Sequence, residues 1–204
     1  MTKKIIFAYK KEKENSSKIN LESKKILGFW LYLMSDCIIF ASFFSVYFVI
    51  KSSSMHFFLN KNTISLKTVF LETLVLLFSS FSCGISFLHF QKRKIKKMYY
   101  WLFLTLILGL LFLCIEVFEM YNFIKHGFSP QKNGLLSSIF TLLSVHAIHI
   151  FSGLIWIIFI ISQTYLSGIN KKNYTNFFCF SLFWHFLDII WLFLYSFIYL
   201  IGLL

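Results

Sequence analysis

Eight ionisable side chains sit inside long apolar stretches of this 204-residue chain: Asp36, Glu72, Glu116, Glu119, His146, His149, His185 and Asp188. Glu116/Glu119, His146/His149 and His185/Asp188 repeat at i,i+3, a spacing that puts both members on one face of a helix. Carboxylates and imidazoles so arranged suit three chemistries. Glu and His at this spacing ligate metal in di-iron bundles. One histidine on each of two helices can hold a b-type haem. Acids inside a membrane can relay protons in a transporter. A fourth reading assigns them no chemistry: they hydrogen-bond across helices or to a partner subunit.

The residues weigh these readings unequally. Di-iron bundles place Glu-x-x-His on one helix, and no such motif occurs here. Three histidines within apolar runs are few for a histidine-rich membrane di-iron enzyme. A haem would need His146 or His149 opposite His185, an unspecific signal. The apolar runs lack the Gly/Pro interruptions that mark a central transport site. Small residues near the ionisable groups favour helix ties, since Ser35, Ala41, Ser42, Ser79, Ser80, Ser144, Ala147, Ser152 and Gly153 let helices approach closely. Gly84 reads as a packing residue. Cys37, Cys83, Cys114 and Cys179 lie in apolar runs without C-x-x-C spacing and read as small buried apolar side chains. No Ser/His/Asp or Cys/His set has a loop to sit on, and no glycine motif cradles phosphate.

The elements that must position these groups follow from composition. Hydrophobic residues make up 58% and charged residues 14%, against about 25% charged in a soluble domain. With 28 phenylalanines and a mean hydropathy of +0.73, the chain cannot bury its apolar surface in a globule of this size. A soluble enzyme, a disordered tail and a disulfide scaffold are excluded. The +12 charge does not signal nucleic acid, because the cations lie in the first 25 residues or between apolar runs.

Five apolar runs, about 26–50, 66–90, 99–124, 135–166 and 177–203, each exceed the ~20 residues that cross a hydrocarbon core. Lipid offers no hydrogen bonds to a backbone, so the runs are expected to be helices, giving an all-α membrane protein. The run at 135–166 is long enough to tilt or protrude. Pro130 falls in a loop with Gly127 and Gly134. Residues 1–25 read as an uncleaved, lysine-rich cytoplasmic tail, and 26–204 as the five-helix domain. Interfacial aromatics such as Trp30, Tyr32, Tyr99, Tyr100, Trp101, Tyr174 and Tyr199 lie near span ends, while Trp156, Trp184 and Trp191 lie deeper, as packing anchors.

Fifteen of the twenty Lys and Arg residues fall in the tail and the loops near 91–98 and 167–176, which places the N-terminus in the cytoplasm and the C-terminus outside. Asp36, His146 and the His185/Asp188 pair then lie about 12–17 Å deep in their spans, near the midplane. Glu72, Glu116 and Glu119 lie in the outer half. Equal depth suggests one cluster of Asp36, His185 and Asp188, with His149 and Glu72 as further ties.

Four stretches resemble a known family. F-W-H-F-L-D-I-I-W-L-F-L-Y at 183–195 resembles the last helix of subunit III of the haem–copper oxidases. H-A-I-H-I-F-S-G-L-I-W at 146–156 resembles that family's H-G-x-H-V-x-x-G-x-x-W helix, with Ala147 where glycine is usual. F-L-E-T-L-V-L-L-F-S-S at 70–80 and G-F-W-L-Y-L-M-S-D-C-I-I-F at 28–40 resemble two further segments. The likeness runs from about residue 26 to the end. Five spans, a short loop after the first and S-D-C at 35–37 are most similar to the quinol-oxidising, cytochrome bo-type branch; many cytochrome c-oxidising members carry glutamate where Asp36 stands.

The resemblance implies an accessory, cofactor-free subunit of a proton-pumping ubiquinol oxidase in the bacterial inner membrane. Haem b, haem o and copper are then expected in subunit I. The implied partners are subunits I, II and IV and a phospholipid held in a cleft, with no nucleic acid. The acids would support proton uptake or stability of subunit I. The alternative reading is an independent proton-coupled transporter. Orientation can be tested directly. A membrane-impermeant maleimide applied to intact spheroplasts should label Asn133→Cys and leave Lys94→Cys unlabelled until the membrane is opened; the reverse pattern inverts the topology.

Overall fold

A computed structural model describes residues 2–53, 66–125, 127, 130–131, 133–168 and 171–200. Five helices follow in order: α1 Thr2–Ser53, α2 Leu66–Gln91, α3 Ile95–Lys125, α4 Gly134–Ser167 and α5 Lys171–Leu194, the last continuing as a π-helical segment, Tyr195–Leu200. No strand occurs among the described residues. Each helix contains a span long and apolar enough to cross a membrane: Ser23–Ser52, Thr68–Gln91, Ile95–Lys125, Gly134–Leu166 and Asn173–Ile198.

The boundaries differ from the expected ones in informative ways. The lysine-rich segment before residue 26 continues as helix into α1, which has 52 residues. At ~1.5 Å per residue α1 is about 78 Å long, well beyond a hydrocarbon core of ~30 Å. The loop near 91–98 contracts to three residues. Lys94 N–H donates to the His89 carbonyl and Arg93 N–H to that of Phe90, both at 3.0 Å. This is the paired pattern that ends a helix on a left-handed residue. Arg93 takes that place, with φ 56°, where glycine is usual. Gly134 opens α4 and is not a loop residue. Most of the loop near 51–67 and the C-terminus at 201–204 lie outside the described residues.

The most buried span is that of α5. It packs against α1, α2 and α4, while α3 packs on α2 and α4. Trp184, Trp191, Phe177, Phe180 and Phe183 are buried, so α5 is apolar where it meets its neighbours and supplies the bulk of the core. The buried stripe of α3 is Met98, Leu102, Thr105, Gly109, Phe112 and Glu116, spaced three or four residues apart on one helical face. Trp184 and Trp191 are thus the anchors their depth suggested. Trp156 is partly buried, edge-on to Phe29 and Phe180.

Close approach is concentrated at two glycines. A Cβ on Gly109 would fall 2.9 Å from Leu154 Cδ2 and 3.0 Å from Trp184 Cη2. One on Gly153 would fall 2.8 Å from Trp184 Cζ3. Gly109 of α3 and Gly153 of α4 therefore admit the Trp184 indole of α5. Among the other small residues expected at helix contacts, Ser79, Ser80 and Gly153 are buried, whereas Ser35, Ala41, Ser42 and Ser152 are exposed. Gly84 has no close packing within the chain: its nearest atom is His185 Nε2 at 3.9 Å.

The consequence is measurable. Gly153→Ala should lower stability by about 1–3 kcal/mol, the usual cost of overpacking against a rigid group. Gly109→Ala should behave similarly, and Gly84→Ala should be close to neutral. Thermal unfolding of the detergent-solubilised protein reads all three; equal midpoints would contradict this packing.

Candidate functional site

The ionisable residues fall into separate contacts between different helix pairs. Asp36 of α1 meets His149 of α4, with Oδ2 3.6 Å from Nε2. His149 Nδ1 lies 2.7 Å from the Val145 carbonyl, one turn back on its own helix. A carbonyl only accepts, so Nδ1 carries a proton and donates it. Nε2, the other ring nitrogen, is the one turned toward the Asp36 carboxyl. Tyr32, one turn before Asp36, lies beside the same carboxyl.

The second contact joins α2 and α5. Ser80 Oγ hydrogen-bonds His185 Nδ1, and Asp188 Oδ2 lies 4.0 Å from the same nitrogen. In a nucleophilic triad the hydroxyl and the carboxylate take opposite ring nitrogens. Here both address Nδ1, so the set is no proton relay to a serine nucleophile. Equal depth had grouped Asp36 with His185 and Asp188; the contacts of Asp36 run to α4 and those of His185 to α2.

Glu72 of α2 and Glu116 and Glu119 of α3 lie within electrostatic reach of one another. Glu72 and Glu116 are buried, at 0% and 2% exposure, and neither makes a hydrogen bond through its carboxyl oxygens. His146 is also fully buried. Its ring stacks on Trp191 at 5.3 Å and meets Phe112 edge-on at 6.0 Å, and neither ring nitrogen has a hydrogen-bond partner. An axial-ligand role for His146 would require those two rings to move aside. Among the described residues, no group of three or more His, Cys, Asp or Glu side chains is placed to hold a metal ion.

A line of hydroxyls between α2, α3 and α5 was not anticipated. Ser82 Oγ and Thr105 Oγ1 hydrogen-bond at 2.7 Å, and Ser86 Oγ donates to the Met98 carbonyl at 3.0 Å. Trp184 Nε1 donates to Ser79 Oγ at 3.1 Å. The sequence signal was the i, i+3, i+7 repeat of serines at 79, 82 and 86 on one face of α2.

An open groove of about 680 Å³ lies between α3 and α4, lined by Tyr99, Tyr100, Phe103, Ile158, Ile161, Ser162 and Tyr165. It adjoins the first turns of α3. Lys92, Arg93 and Lys94 precede α3 and Lys96 and Lys97 stand in its first turn, and no acidic residue occurs in that stretch.

Taken together, polar contacts join α1 to α4, α2 to α5 and α2 to α3. The cytochrome c oxidase subunit III family matches residues 13–203. The chain is 46% identical over 184 residues to cytochrome bo(3) ubiquinol oxidase subunit 3 of Buchnera aphidicola subsp. Baizongia pistaciae, covering 90% of this chain and 95% of that one. To the protein of the same name from Buchnera aphidicola subsp. Schizaphis graminum it is 46% identical over 187 residues, 92% and 99% of the two chains. To that of Pseudomonas aeruginosa it is 38% identical over 179 residues, 88% and 86%. The chain thus belongs to the cytochrome c oxidase subunit III family, as a multi-pass protein of the bacterial inner membrane.

Proposed function

We propose that the chain is the accessory subunit III of a proton-pumping, cytochrome bo-type ubiquinol oxidase. The observation that carries this reading is the match over most of both chains to proteins named subunit 3 of that oxidase, on a five-helix bundle in which Asp36 meets His149 and Ser80 meets His185 between helices. Catalysis and all redox centres, haem b, haem o and copper, then belong to subunit I, and subunits II and IV complete the complex. The N-terminus faces the cytoplasm.

The work of this chain is to keep a membrane-embedded partner assembled. The Asp36–His149 pair ties α1, otherwise the least buried of the spans, to α4. The groove between α3 and α4 suits a phospholipid: its walls are aromatic and aliphatic, and five cations precede Tyr99 closely in the sequence.

Purification separates this function from autonomous proton-coupled transport. A tagged chain extracted in mild detergent should co-migrate with haem-bearing polypeptides and show their optical spectrum. Recovery of the chain alone, active as a proton-coupled transporter in liposomes, overturns the proposal.

The Asp36 tie yields a second expectation. Asp36→Leu leaves His149 without its partner and should shorten the working lifetime of the oxidase and its survival in detergent. Interhelical ties in membranes average about 0.6 kcal/mol, with a maximum near 1.7. A double-mutant cycle with His149→Leu should therefore give a coupling of about that size, read from thermal inactivation; zero coupling removes the tie.

A further inference from the structure

One polar side chain is not enclosed by the bundle. His185 is the thirteenth residue of the 26-residue span Asn173–Ile198, so it lies at the middle of the bilayer. Its side chain is nevertheless 45% exposed. Lipid tails can hydrogen-bond neither ring nitrogen, and polar residues at this depth face protein or water. Nδ1 is already engaged by Ser80. Nε2 is the ring nitrogen that Ser80 does not engage.

The surface around Nε2 is shaped to let another helix approach. Gly84 of α2 lies beside it, and a Cβ there would meet nothing nearer than His185 Nε2 at 3.9 Å. Small residues at such points let helix backbones come close in membranes. Phe81 and Leu88 flank Gly84 along one stripe of α2, and Ile189 and Leu192 continue from His185 along α5; all four are exposed and apolar. The result is an apolar face with one exposed imidazole at mid-depth.

We propose that this α2/α5 face docks a transmembrane helix of a partner subunit, and that this helix brings a polar side chain within hydrogen-bonding distance of His185 Nε2 through the gap at Gly84. The proposal rests on the chain being an oxidase subunit, and it names the surface used for that assembly. His185 acts here as a docking residue, with Ser80 and Asp188 holding its ring.

The test uses the whole complex, purified through a tag on this chain, with haem retained per chain as the readout. If the unmodified chain brings down no haem, the oxidase reading itself fails, before any variant is considered. If it does, His185→Leu and Gly84→Val should each lower retained haem several-fold after detergent exchange, while His185→Gln, which keeps a hydrogen-bonding group, should stay near the unmodified level. A photo-reactive benzoylphenylalanine replacing Ile189 should form an adduct with a partner polypeptide. Unchanged haem retention in both His185→Leu and Gly84→Val, or adducts from position 189 with lipid alone, overturns the docking face and leaves the oxidase reading standing. The adduct also covers the case in which His185→Leu misfolds, because it leaves His185 intact.

Discussion

A bilayer withholds water from every polar group placed inside it, and that constraint organises the whole molecule. Five helices satisfy the backbone within themselves. What remains is a short set of side chains that lipid cannot serve. The fold points several of them at each other: a carboxyl at an imidazole between α1 and α4, a hydroxyl at an imidazole between α2 and α5, a serine at a threonine between α2 and α3. Each such contact is weak by itself. Their value lies in removing a stranded polar group and in fixing which helix lies next to which.

Shape does the rest. Without a hydrophobic drive between helices in lipid, close packing holds the bundle together. Trp184 is its clearest case. Two glycines on different helices make room for one indole, and the indole N–H finds a serine on a third. Three neighbours of α5 are thereby positioned by a single side chain. The core is built of rings because α5 carries phenylalanine or tryptophan at 177, 180, 183, 184 and 191.

Much of this was legible in the residues. Length and apolarity marked five helices and the depth of their polar groups, and four stretches carried the family. The azimuth of each group around its helix was not legible. Asp36 and His185 share a depth, yet they address different neighbours, because depth follows from counting residues whereas facing depends on how helices are arranged. The same gap explains Gly84, which read as an internal packing residue but lies beside an exposed imidazole. The hydroxyl line along α2 was missed because serines in an apolar run look like diluted hydrophobicity until a threonine is found opposite them. The helical continuation of the lysine-rich N-terminal segment was not anticipated, since its polarity suggested only that it lies outside the membrane.

The π-helical turn at Tyr195–Leu200 has its own implication. A wider turn takes up more residues per revolution than an α-helix and pairs each carbonyl with the N–H five residues on. The Phe197 carbonyl accepts from the Tyr47 hydroxyl of α1, at 3.4 Å, while Phe44, Phe48 and Phe193 gather around the Phe197 ring. The end of α5 thus works as a slack segment. It can absorb a residue gained or lost in the chain by tightening or loosening one coil, without rotating the tryptophans buried farther up the same helix.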